Sequence, residues 1–170
     1  MAVIARDVAQ YREKIKALDL QNPEHVKLYK QYRRELFAAA EGYKLTAYLY
    51  KGVWHVGIGF NMQRPAARQE WKEAFGEHAP DFDRVMEQKQ ALSKFQAEQL
   101  FAHCMQKAET RLRQMYSRQT WEALGPNERM AIESLYYADG EASVNPQSRF
   151  YQHIKAYTHG SRREENHVSA

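Results

Sequence analysis

The chain has 170 residues, of which 44% are hydrophobic and 27% charged, enough apolar material for a substantial core and too much for disorder over most of the length. Its single cysteine, Cys104, excludes an internal disulfide framework, so the fold stands on packing alone and suits synthesis in a reducing compartment. A net charge of +4 and a sequence pI near 9.1 favour an anionic partner, yet the 25 basic residues are scattered among 21 acids and form no block.

Ile4, Val8, Tyr11, Ile15 and Leu18 recur at helical spacing and predict a helix over residues 4–19. Asn22-Pro23-Glu24 then supplies a cap, a first-turn proline and an early acid for a second helix that runs to Ala40 with Val26, Tyr29, Leu36 and Phe37 inward. Gly42 suits the left-handed position that ends it. Residues 47–60 alternate and are rich in Tyr, Val, Trp and Ile, which reads as a hairpin turning at Lys51-Gly52. That turn sets Tyr50 opposite Val53 and Tyr48 opposite His55, all four on one face, with Leu49 and Trp54 on the other.

Pro65 opens a short helix through Phe75, and Pro80 another. Ser93 with Gln96 makes a capping box for the longest helix, whose apolar stripe is Ala97, Leu100, Phe101, Cys104, Ala108, Leu112 and Met115. Pro126 and Asn145-Pro146 start two more helices, closed near Gly140 and Gly160, and the polar residues 161–170 form a frayed tail. The predicted class is α+β, mostly α-helical. Residues 1–40 form N-terminal helices, 41–90 a small hairpin lobe, and 91–160 a long connecting helix and a helical lobe, all within a single catalytic domain.

Between residues 36 and 69 the only carboxylate is Glu41, where helix hands over to hairpin. The negative end of the helix dipole points at it and raises the cost of ionisation, and a carboxyl kept partly neutral can act as a general acid. Its bland alternative is a solvated helix-end acid. His55 is either a strand histidine bonded to a neighbouring tyrosine or a neutral imidazole that takes a proton from water. Tyr50 is a stacking or packing aromatic, or a nucleophile; its hydroxyl is no base near neutral pH. Cys104 belongs to the buried stripe. Seven histidines without a His-Glu-x-x-His and without a cysteine pair predict no metal, and no cofactor is expected. No apolar run approaches a membrane span, and Met1 to Asp7 has neither the basic start nor the hydrophobic stretch of a secretory signal, so synthesis in the cytoplasm is expected.

Glu41-Gly42, Leu45, Tyr48 and Gly57-Ile58-Gly59, followed by the stretches Ala91 to Phe101 and Leu124 to Gly140, resemble the phage-type lysozyme family, the muramidases that cut peptidoglycan between its two sugars. The likeness covers residues 30–160. It implies a lysozyme-like fold, a small lobe with a β-hairpin joined by a long helix to a helical lobe, and cleavage of the β-1,4 bond between N-acetylmuramic acid and N-acetylglucosamine. Carried onto this chain, Glu41 is the general acid and His55 the base; Tyr50 belongs to the catalytic set, and Tyr48, Gly59, Phe60 and Tyr137 touch substrate.

The departures are that Tyr50 stands where the family has Asp or Cys, His55 where it has Thr, and the turn between them is one residue shorter. The family also begins shortly before its catalytic Glu, whereas forty residues precede Glu41 here; the helix over 4–19 is expected to pack where the family's further C-terminal helices lie. A monomer acting on peptidoglycan glycan strands after release, injection or export is the implied setting. Two other outcomes share this site: a lytic transglycosylase using Glu41 alone and giving 1,6-anhydro products, or an inactive wall-binding homologue. A nucleic-acid-binding helical domain would fit the pI and residues 120–160, but no helix carries a dense Arg/Lys/Asn reading face, so no nucleic acid is expected as partner.

Overall fold

Asp19 decides where the first helix stops. Helix α1 (Ala2–Lys16) closes with a tightened turn, Leu18 N–H to the Ile15 carbonyl at 3.1 Å, and the Asp19 carboxylate then accepts from Gln21 N–H at 3.0 Å. That local turn outcompetes the helix predicted to reach residue 19. The Asn22 side chain accepts from Glu24 N–H at 3.0 Å and opens α2 (Pro23–Glu41), which ends at Gly42 with φ +91°. The structure is a computed structural model describing residues 2–149 and 151–153, with side chains from Ala9 onward. The side chains of Ile4 and Val8, the expected end of the last helix near Gly160 and the 161–170 tail lie outside the described residues.

A three-stranded antiparallel sheet follows, β1 (Lys44–Tyr50), β2 (Val53–Gly57) and β3 (Phe60–Asn61) in sequence order. Lys51 at φ +50° and Gly52 at φ +76° form the two-residue turn, and the register pairs Tyr48 with His55, Leu49 with Trp54 and Tyr50 with Val53, as the alternation predicts. The short third strand has no counterpart in the sequence reading; a two-residue strand leaves too little periodicity to detect.

The chain continues with α3 (Ala67–Phe75), a 3-10 turn at Gly76–His78, α4 (Phe82–Met86), α5 (Lys94–Met115), α6 (Arg118–Glu122), α7 (Pro126–Asp139) and a 3-10 turn at Glu141–Ser143. The capping box of α5 is made in both directions, Gln96 N–H to Ser93 Oγ at 3.1 Å and Ser93 N–H to Gln96 Oε1 at 2.9 Å. Its predicted stripe from Ala97 to Leu112 is buried, with Met115 half-buried. The last helix starts later than Pro146: Asn145 accepts from Gln147 N–H, and Ser148 Oγ caps Tyr151 N–H at 3.0 Å.

Among the described residues there are two compact units, the first formed by residues up to 11 and 30–107, the second by 12–29 and from 108 on. In the first, Val56, Ile58, Phe60, Trp71, Val85 and Leu100 are buried, and the Phe60 and Trp71 rings meet at 6.0 Å. In the second, Leu112, Tyr116, Trp121, Leu124, Ile132 and Val144 form one cluster. The architecture is mostly helical α+β. Among the described residues no helix is long and apolar enough to cross a membrane.

Candidate functional site at the end of helix α2

Glu41 is the last residue of α2 and is half-buried. Its side chain lies directly against the Gly57-Ile58-Gly59 turn: a Cβ placed on Gly59 would sit 2.6 Å from Glu41 Cβ and 3.5 Å from Oε2. Gly59 also has φ +65°, so two independent constraints, backbone conformation and the glutamate's approach, strain any other residue there. Gly57 shares that φ and meets Ala97 at ordinary contact distance.

Tyr48 ties the glutamate to the sheet. Its hydroxyl donates to the Glu41 main-chain carbonyl at 3.0 Å, and its ring stacks on His55 with centroids 5.7 Å apart and planes at 28°. Burial first, then the negative charge of Glu41, raise the Tyr48 pKa above its ordinary value. The hydroxyl therefore stays a donor across the neutral range, and the electrostatic reach of Glu41 extends to it. The ammonium of Lys44, on the same strand, lies 4.8 Å from the centre of the Tyr48 ring.

His55 Nδ1 lies 2.9 Å from the Val53 carbonyl oxygen. A carbonyl only accepts, so Nδ1 carries the proton and Nε2 of the neutral ring keeps its lone pair. Tyr50 meets the same imidazole edge-on, centroids 5.9 Å apart, and is 55% exposed, which leaves its ring accessible at the hairpin tip. Asn61 of β3 is the register partner of His55 and shares its face, a polar neighbour that the undetected third strand kept out of the sequence reading.

The structure thus brings Glu41, Tyr48, Tyr50, His55 and Gly59 together in the first unit. Phe60 is a correction. It is 1% exposed, packed 6.0 Å from Trp71 with the Arg64 guanidinium over its ring, and so belongs to the core instead of touching substrate. The strand alternation that sends His55 outward sends Phe60, the partner of buried Val56, inward. Tyr137 stands half-buried on α7 in the second unit, while its neighbour Tyr136 packs on that unit's core.

Buried charge is what the sequence reading missed. Glu70, 8% exposed, pairs with Arg64 and accepts from the Cys104 thiol at 3.7 Å; burial first, then the Glu70 charge, push that thiol up to about 12 and make it unreactive. Glu133, 2% exposed, accepts from the Tyr29 hydroxyl at 2.6 Å. The available signal was an acid three residues after Met130 on an apolar helix stripe. Among the described residues no three His, Cys, Asp or Glu side chains converge as metal ligands would. Neither a family model nor a curated protein matches the chain.

Proposed function

We propose that this chain is a lysozyme-like muramidase that cleaves peptidoglycan glycan strands at the bond between N-acetylmuramic acid and N-acetylglucosamine. The observation that carries the reading is the seating of the Glu41 side chain on Gly59, with Tyr48 linking that helix end to an imidazole whose Nε2 holds a lone pair. A glycosidase needs a positioned carboxyl to protonate the leaving oxygen and a second group to deal with the anomeric carbon. Glu41 supplies the proton, the bond from the muramic acid anomeric carbon to the bridging oxygen breaks, and water attacks that carbon while its proton passes to His55 Nε2. Tyr50, exposed beside the imidazole, offers a ring for a sugar to stack on.

One observation favours a second reading on the same site. The hairpin carries no carboxylate, so Glu41 has no acidic companion there. If the muramic acid 6-hydroxyl attacks in place of water, Glu41 serves as acid and then as base, and the product is a 1,6-anhydro sugar. Digestion of purified glycan strands followed by mass analysis separates the readings: hydrolysis adds one water per cut and transglycosylation adds none. Intact strands after incubation with wild-type protein would overturn both and leave a wall-binding protein.

A further inference from the structure

The second unit contains a cavity of about 800 Å³ that the muramidase reading does not use. Its lining combines the apolar Leu18, Leu20, Leu124 and Pro126 with three arginines, Arg113, Arg118 and Arg129, and two acids, Asp19 and Glu122. Arg118 is already committed to Glu122 at 2.9 Å, and the Asp19 carboxylate in the wall is turned to Gln21 N–H at 3.0 Å.

Arg113 and Arg129 are differently placed. Among the described residues no carboxylate pairs with either. Arg129 lies 5.7 Å from the centre of the Trp121 ring and spends its Nε–H on the Leu124 carbonyl at 3.2 Å, which uses one of its five donors and fixes the fork. Burial holds Arg129 below the ordinary arginine value; of the charges around it, Tyr29, Glu133 and Glu122 act to raise it and Arg113 to lower it. An anion bound there would face two guanidiniums that make no ion pair among the described residues, one of them with its donor fork already fixed by Leu124 and Trp121.

We infer that this cavity is a binding site for an oxyanion, phosphate or carboxylate, carried on a small apolar body. The guanidiniums of Arg113 and Arg129 take the charged end, and Leu18, Leu20 and Leu124 enclose the rest. The volume is that of a small-molecule site and far exceeds what a bare anion needs. The site does not depend on the muramidase reading, because none of its residues belongs to the Glu41 cluster.

The test titrates the full ¹⁵N-labelled chain with phenyl phosphate, benzoate and neutral benzamide while following the indole N–H resonances of Trp54, Trp71 and Trp121, assigned with a Trp121→Phe variant. The expected result is a saturable shift of Trp121 alone with an anionic probe, no response to benzamide, and affinity at least about tenfold weaker in Arg113→Gln and in Arg129→Gln. Preference for phenyl phosphate would identify a phosphate ester as the natural group, and preference for benzoate a carboxylate. Arg113 is exposed, so its variant keeps the fold even where Arg129→Gln does not. No saturable shift with either anion, an equal response to benzamide, or wild-type affinity in Arg113→Gln would overturn the proposal.

Discussion

Two glutamates, each with a tyrosine hydroxyl bonded to the same residue, meet opposite fates in this molecule. At Glu133 the Tyr29 hydroxyl donates to the carboxylate itself, deep in the second unit, and the acid becomes part of the core. At Glu41 the Tyr48 hydroxyl donates to the main-chain carbonyl, so the tyrosine positions the helix end without covering the carboxylate, which rests on Gly59. The lesson is that an acid absorbed into the core and one left at a helix end differ in which atom the neighbouring donor takes, and that the second arrangement here needs a glycine to make room.

The sharpest way to break this comparison is substitution of the acids. Glu41→Gln should lower glycan cleavage by about a hundredfold to ten-thousandfold with an unchanged circular dichroism spectrum, since it removes the proton and little packing; residual cleavage near wild type would assign Glu41 to solvated surface. Gly59→Ala should come next, destabilising by about 1–3 kcal/mol in denaturant titrations and reducing cleavage by more than the lost folded fraction, because the new methyl displaces Glu41 and the backbone is left-handed there.

Tyr29→Phe should cost about 1–3 kcal/mol by removing a donor from the buried Glu133 carboxylate, while cleavage per folded molecule stays constant. Tyr48→Phe should cost only about 1 kcal/mol of stability, since a main-chain carbonyl near the surface finds water, but it should raise KM or lower kcat as the end of helix α2 loses its tie to the ring that stacks on His55. The smallest effect belongs to Glu73, whose hydrogen bonds to His103 and then Lys107 hold its carboxyl down to about 2 from 4.5. Because the folded value is the lower one, its stabilisation is present above about pH 4.5 and is lost as pH falls toward 2; acid titration of Glu73→Gln should lack that increment, and salt should shrink it in the wild type.

What was legible in the sequence is what depends on neighbours along the chain. The hairpin register followed from Lys51-Gly52 and a period of two, the start of α5 from Ser93 and Gln96, and the end of α2 from Gly42, each a local rule met by local residues. Burial of charge was not legible. Tyr29 meets Glu133 across 104 positions and Glu70 meets Cys104 across 34, so no window of sequence contains both partners. The Glu41 site was half legible: its residue types and spacing were visible, whereas the stacking of Tyr48 on His55, the Val53 bond that fixes the imidazole proton, and the inward turn of Phe60 all required the strands to be paired in space.

The hydrogen bond from His55 to Val53 spans two residues of one strand and draws on no distant element. The tautomer is therefore set inside the segment Val53–Gly57, while Tyr48 and Tyr50 of the facing strand hold the ring between them. Transplanted together onto an unrelated sheet, the two strands should carry a directed lone pair with them, a ready-made proton acceptor for building new chemistry.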